Sequence, residues 1–206
     1  MIVKVCGMSD AVNIRLAEQL NIDWMGFIFY PPSPRYVDHR PDYLPERQQR
    51  VGVFVNADES FILSRISLFG LQLLQLHGHE TPQQCRALRE ISGLPLIKAF
   101  SVRSAADVAL TRHYEGAADY FLFDTPTPGV GGSGRSFDHQ LLDNYTGNTP
   151  FLLSGGLGPN SADNILSLHH PQMVGIDLNS RFETAPGIKS IHRLQQFLQS
   201  LGQAAL

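Results

Sequence analysis

The sequence predicts an α/β protein, a single-domain (β/α)8 barrel made by residues 1–206. Eight short β-branched or aliphatic runs recur along the chain, each apolar on both faces as buried parallel strands are. Amphipathic stretches with helical spacing lie between them. The 206 residues divide into about 26 per strand–helix unit, which leaves no room for a second domain. A doubly wound open sheet shares the pattern, but eight strands with no long edge insertion favour closure.

The expected strands are residues 2–6, 24–29, 51–55, 73–76, 95–100, 120–124, 151–154 and 173–178. A helix over 10–20 places Val12, Leu16 and Leu20 on one face. Between the second and third strands, 42–47 is the least regular helical segment. Residues 59–69 offer Phe61, Ile62, Ile66 and Phe69. Thr81 and Pro82 stand in cap-then-first-turn order, and Gly93 stops that helix before Pro95. Shorter patterns follow at 104–110 and 138–142. Pro159, Asn160 and Ser161 open the next helix, and 187–201 reads as the last.

Composition narrows the function classes. Hydrophobic residues make up 43% of the chain and charged ones 17%, which excludes a disordered chain. A net charge of −3 with no Lys/Arg run argues against nucleic acid or a membrane surface as partner. Cys6 and Cys85 are too few for a disulfide framework, and no zinc spacing occurs. No apolar run suits a membrane span or signal peptide, so a cytoplasmic protein is expected.

In such barrels the chemistry sits where strands end. Those ends carry Cys6, Arg35, Asn56, His77, Ser101, Asp124, Ser154, Asp177, Asn179 and Ser180, whereas the opposite connections are plainer. Cys6 is a nucleophile or proton-transfer base if its pKa is lowered, with Lys4 two residues back to help, or else a buried packing thiol. Asp124 closes an apolar strand, and reads as a general acid or as a cap. Arg35 is a bidentate carboxylate clamp or a surface cation. His77 binds a ligand or caps its loop. Cys85, inside a helix pattern, reads as packing.

Glycines give a second signal. Gly131, Gly132 and Gly134 follow the sixth strand, and Gly155 and Gly156 the seventh. Such loops bring backbone N–H groups to an anion, and in barrels they commonly hold phosphate. Residues 129–134 also fit GxGxxG. Thr125 to Pro128 separate that motif from its strand and the next strand ends at Ser154 rather than an acid, so a dinucleotide fold is rejected.

Taken together the residues resemble the phosphoribosylanthranilate isomerase family of tryptophan biosynthesis. The resemblance runs through Val3-Lys4-Val5-Cys6-Gly7-Met8, Gly26-Phe27-Ile28-Phe29, Ser33-Pro34-Arg35-Tyr36-Val37, Gln75-Leu76-His77-Gly78 and Phe123-Asp124-Thr125. It continues through Gly131-Gly132-Ser133-Gly134, Ser154-Gly155-Gly156-Leu157, Gly175-Ile176-Asp177 and Pro186-Gly187-Ile188-Lys189. It implies a TIM-barrel enzyme, without metal or organic cofactor, that performs an Amadori rearrangement of N-(5-phosphoribosyl)anthranilate. By the same resemblance Asp124 is the general acid at the furanose ring oxygen, and Cys6 the base at C2′. Arg35 is expected near the anthranilate carboxylate, with His77 also on the substrate. Gly132, Gly134, Gly155 and Gly156, with Asp177 and Ser180 nearby, form the phosphate cradle. The implied partner is a phosphorylated small molecule, bound by a monomer or homodimer.

Ser154 and the segment Asn179-Ser180-Arg181-Phe182-Glu183, where the family more often reads Ser-Ser-Gly-Val-Glu, depart from the family pattern. Ser154 replaces a small apolar residue, and Arg181 replaces a glycine. A left-handed backbone at Arg181 would cost about 1 kcal/mol or more; its side chain is expected to point outward, the alternative being a second cation near the phosphate. A Schiff-base aldolase built on Lys98 is the rival reading. The alternative for Lys98 is a place in a barrel layer beside a carboxylate.

Overall fold

In the computed structural model, which describes residues 1–124 and 139–202, eight parallel strands pair in chain order and the last returns to the first. They are β1 Ile2–Cys6, β2 Trp24–Ile28, β3 Gln49–Phe54, β4 Leu73–Leu76, β5 Leu96–Ser101, β6 Tyr120–Asp124, β7 Phe151–Ser154 and β8 Met173–Leu178. Closure is made by the β1–β8 pairing, which sets Lys4 opposite Asp177. β3 starts two residues before the expected run. Its polar first residues, Gln49 and Arg50, are recruited by pairing to Trp24 and Met25 and not by apolar pattern.

Side chains alternate between the barrel interior and the helix layer. Trp24, Val51, Leu73, Ile97, Ala99, Leu122 and Leu152 form one buried interior cluster. Trp24 and Tyr120, from β2 and β6 on opposite sides, meet edge to face with ring centroids 5.3 Å apart. This layer of the barrel interior is therefore filled by side chains.

Helices follow six of the strands among the described residues: α1 Ala11–Ala17, α2 Glu59–Phe69, α3 Pro82–Ser92, α4 Ala105–Leu110, α5 Ala162–Leu166 and α6 Ile191–Ser200. Asp10 caps α1 by accepting from Asn13 N at 2.7 Å. Thr81 and Gln84 form a reciprocal capping box on α3, and Gly93 ends it in the left-handed conformation at φ 65°. Helix α1 ends at Ala17, short of the expected 20, and of its expected face only Leu20, beyond that end, is buried. Val12 and Leu16 are exposed, and the helix buries Asn13, Ile14 and Ala17. Asn13 is an inward polar residue because its amide exchanges two hydrogen bonds with the Lys189 backbone, at 2.7 and 2.8 Å.

The helix expected at 42–47 does not form. Five prolines between Pro31 and Pro45 remove donors and bar the helical conformation at their preceding residues. Glu18 organises this segment instead: its carboxylate accepts from Glu46 N at 2.6 Å, from Arg47 N at 2.9 Å and from the Tyr43 hydroxyl. The segment expected as a helix at 138–142 contributes a 3-10 helix, His139–Asn144. After β8 come a 3-10 turn, Ser180–Phe182, and a small antiparallel hairpin, β9 Glu183–Ala185 with β10 Ile188–Lys189.

Lys98 lies on the outer face of β5, not in an interior layer as expected, because the inward positions are Ile97 and Ala99. It does sit beside a carboxylate. Its ammonium donates to the carbonyls of Gly78 at 2.8 Å and Ala99 at 3.1 Å, and to Glu80 at 3.1 Å. Cys85 is fully buried in α3, and burial pushes its thiol up to about 11.

Candidate active site

Strand ends and the loops behind them enclose a cleft of about 260 Å³, lined by Cys6, Ile28, Arg35, Val53, Gln75, His77, Asp124, Ser154, Gly155, Gly156, Leu157, Asp177, Asn179 and Ser180. The structure thus gathers eight of the expected residues in one place: Cys6, Asp124, Arg35, His77, Gly155, Gly156, Asp177 and Ser180. Gly132 and Gly134 lie outside the described residues. A larger open depression of about 680 Å³ lies at the opposite end, lined mainly by apolar residues such as Met1, Leu168 and Met173. It contains none of the strand-end residues, and the smaller cleft is where the polar groups converge.

Cys6 ends β1 at 3% exposure. Its neighbour in register is Gly26 of β2, where an added Cβ would stand 2.7 Å from the Cys6 sulfur. The glycine is what admits the thiol. Burial pushes the Cys6 thiol above its ordinary value, while Lys4 pulls it down, Asp177 adds to the rise and Lys189 pulls it down again. Lys4 is fully buried and donates to both Asp177 oxygens at 3.0 Å. Burial alone would lower the Lys4 ammonium; Asp177 and then Cys6 reverse this and hold it above the ordinary value. The Asp177 carboxylate, expected in the phosphate cradle, is thereby committed to Lys4.

Arg35 reaches the cleft from the proline-rich segment after β2. Its guanidinium is bidentate on Glu183, with Nε 2.8 Å from Oε1 and Nη2 2.6 Å from Oε2. Lys189 completes the cluster, its ammonium 2.6 Å from Glu183 Oε1 and 2.8 Å from Asn179 Oδ1. Burial works to raise the Glu183 carboxyl, but hydrogen bonds from Arg35 and Lys189 outweigh it and hold the group below 4.5. Burial pulls the Lys189 ammonium below its ordinary value, despite Glu183.

The opposite wall is more open. Asp124 ends β6 at 34% exposure, and its Oδ2 lies 3.5 Å from His77 Nε2. The other nitrogen of His77 lies 3.0 Å from the Gln75 side-chain amide nitrogen. Gly155 and Gly156 both take left-handed angles, φ 83° and 67°, which side-chain-bearing residues rarely adopt. Ser180 opens the 3-10 turn that also contains Arg181. Asn56 alone among the described non-glycine residues has a positive φ, so Arg181 carries no left-handed strain. Its stem packs over Gly158, with Cδ 2.9 Å from where a Cβ would stand, and the residue is exposed, as expected.

Four residues of this site escaped the sequence reading or received no role in it: Gln75, Asn179, Glu183 and Lys189. Alternation exposes the first, since Gln75 is two residues before His77 on one strand face. Glu183 and Lys189 are charged residues flanking the Pro186-Gly187 turn, yet nothing in their spacing shows that they meet Arg35. Among the described residues, no group of three or more His, Cys, Asp or Glu is placed to hold a metal ion, and no helix is long and apolar enough to cross a membrane.

Comparison with known proteins identifies the family. The family model of N-(5'-phosphoribosyl)anthranilate (PRA) isomerase matches residues 3–200. An N-(5'-phosphoribosyl)anthranilate isomerase of Phocaeicola vulgatus is 53% identical over 203 residues, covering 98% of each chain. One of Parabacteroides distasonis is 47% identical over 207 residues, covering 98% of this chain and 93% of the relative. The crystal structure of phosphoribosyl anthranilate isomerase from Thermotoga maritima superposes with a TM-score of 0.82 at 31% identity, covering 98% of this chain and 99% of that one. A phosphoribosyl anthranilate isomerase in complex with reduced 1-(o-carboxyphenylamino)-1-deoxyribulose 5-phosphate superposes with a TM-score of 0.79 at 28% identity, over 98% and 99% of the two chains.

Proposed function

The chain belongs to the N-(5'-phosphoribosyl)anthranilate isomerase family of tryptophan biosynthesis, and we propose that its cleft performs the Amadori rearrangement with Asp124 as general acid and Cys6 as general base. The observation that carries this reading is the meeting of Cys6 and Asp124, from β1 and β6, as lining residues of one cleft.

The chemistry follows from that placement. The carboxyl of Asp124 gives its proton to the furanose ring oxygen as the C1′–O bond breaks. The anthranilate nitrogen supplies its lone pair, leaving a protonated Schiff base at C1′. Cys6 in its thiolate form then takes the C2′ proton, and the C–H electron pair becomes the C1′–C2′ double bond of an enolamine. Tautomerisation, with a proton delivered to C1′, yields the ketone. The substrate brings its own amine, so no enzyme lysine is needed. Lys98, whose ammonium is held by carbonyls and Glu80, is out of reach of this cleft.

Burial keeps the Cys6 thiol above its ordinary value even with Lys4 and Lys189 beside it, the opposite of the lowering expected of a base, and the two cations limit that rise. Lys4 and Lys189 favour the thiolate, and they are fixed in place by Asp177 and Glu183. Arg35, already oriented by Glu183, presents the remaining part of its fork to the anthranilate carboxylate. The loop of Gly155 and Gly156 with Ser180 holds the phosphate through backbone N–H groups, together with Gly132 and Gly134. His77 stands on the substrate beside Asp124. All of residues 1–206 serve as one isomerase domain, active in the cytoplasm as a monomer or homodimer.

The test is direct. Adding the protein to phosphoribosylanthranilate should make the substrate's fluorescence decay in proportion to enzyme concentration. An unchanged signal over many multiples of the spontaneous decay time contradicts the function.

A further inference from the structure

We propose that Gln75 is a positioning residue for the acid step: its amide holds His77 in the tautomer protonated on Nε2, which aims an N–H donor at the Asp124 carboxylate. The inference rests on the reading of Asp124 as the acid. Leu73, Gln75 and His77 follow one another on the inward face of β4 and its end, and Gln75 is only 1% exposed. Its Nε2 lies 3.0 Å from His77 Nδ1. An amide NH2 can only donate, so Nδ1 must offer its lone pair. A neutral imidazole then carries its proton on Nε2, the nitrogen 3.5 Å from Asp124 Oδ2.

The other end of the Gln75 amide strengthens the case. Its Oε1 is buried and has no hydrogen-bond partner. The amide is therefore tethered in this direction by the imidazole. Turning it over would bring Oε1 to Nδ1, which suits the other tautomer, and would put two donors where a single acceptor now stands unpaired. Lys4, Cys6 and Asp177 face the same cleft from β1 and β8, and none of them hydrogen-bonds to His77 among the described contacts.

The experiment is 15N NMR of the histidine rings in the full-length enzyme, paired with steady-state kinetics, for the parent, Gln75→Leu and Gln75→Met. The parent should show neutral His77 protonated on Nε2 alone. Both variants should show a mixture of the two tautomers, with kcat reduced about tenfold, the scale of one lost hydrogen bond, and KM within about twofold. Nδ1 protonation in the parent overturns the proposal, as does an unchanged tautomer in a folded variant. Gln75→Met preserves length, so it supplies the reading if Gln75→Leu does not fold. Full turnover by Asp124→Asn would remove the underlying acid role while leaving the tautomer result standing, so the two failures are distinguishable.

Discussion

The two walls of the cleft are built on different physical plans. On the β8–β1 side, Cys6 is buried over Lys4 and Asp177, and beside it Lys189, Glu183 and Arg35 form a tight cluster with contacts down to 2.6 Å. On the β4–β6 side, Asp124 and His77 are each about one-third exposed and stand 3.5 Å apart. A base whose conjugate acid is a thiol needs fixed positive charge in a desolvated place. An acid that must regain its proton every turnover gains from contact with solvent. All three lysines of the chain, Lys4, Lys98 and Lys189, are buried and each is paired with a carboxylate. The lysine charges are thus held inside the protein by carboxylates, two of them on the Cys6 side of the cleft.

Removing either chemical group gives the largest expected effect. Cys6→Ser and Asp124→Asn should each lower kcat by at least about 10²-fold, read by the fluorescence assay. A kcat within a few-fold of the parent for either one breaks the division between walls. Next comes Lys4→Met, which leaves the Asp177 carboxylate buried and unpaired. It should cost about 3–5 kcal/mol in denaturant unfolding, and alkylation of Cys6 by iodoacetamide at neutral pH should slow. Adding Asp177→Asn should recover much of the stability and only part of the alkylation rate, since Lys4 acts on the thiol more strongly than Asp177.

Arg35→Ala should act mainly through binding, with KM raised about tenfold and kcat changed much less. The smallest effect is on pH dependence. The Glu183 carboxyl is held below its ordinary 4.5 in the folded protein. Its contribution to stability is therefore present above pH 4.5 and is lost as pH falls through the depressed folded value. Glu183→Gln should flatten the acid side of a plot of Tm against pH. An unaltered slope would show that the cluster on the β8–β1 wall is not held by this charge.

The same contrast governs what could be read from sequence. Strands such as 73–76 and 151–154 are legible because each is a short apolar run, and Cys6 and Asp124 because a reactive group ends such a run. The α1 face is not legible because Asn13 is buried for its hydrogen bonds to Lys189, 176 positions away, while Val12 and Leu16 remain in solvent. Only tertiary structure brings those partners together. The Glu183 pairing to Arg35 spans 148 positions and is equally invisible to periodicity. The segment after β2 departs from a helix for a local reason, its prolines, whose effect outweighs any helical pattern at 42–47.

The central claim, that the open wall acts first as acid and the buried wall second as base, is tested most directly by turnover of substrate deuterated at C2′. Ring opening should limit Asp124→Asn, so its kcat should be nearly insensitive to the deuterium. Proton abstraction should limit Cys6→Ser, which should show a primary isotope effect well above unity. Equal effects in the two variants, or the reverse assignment, would contradict the account.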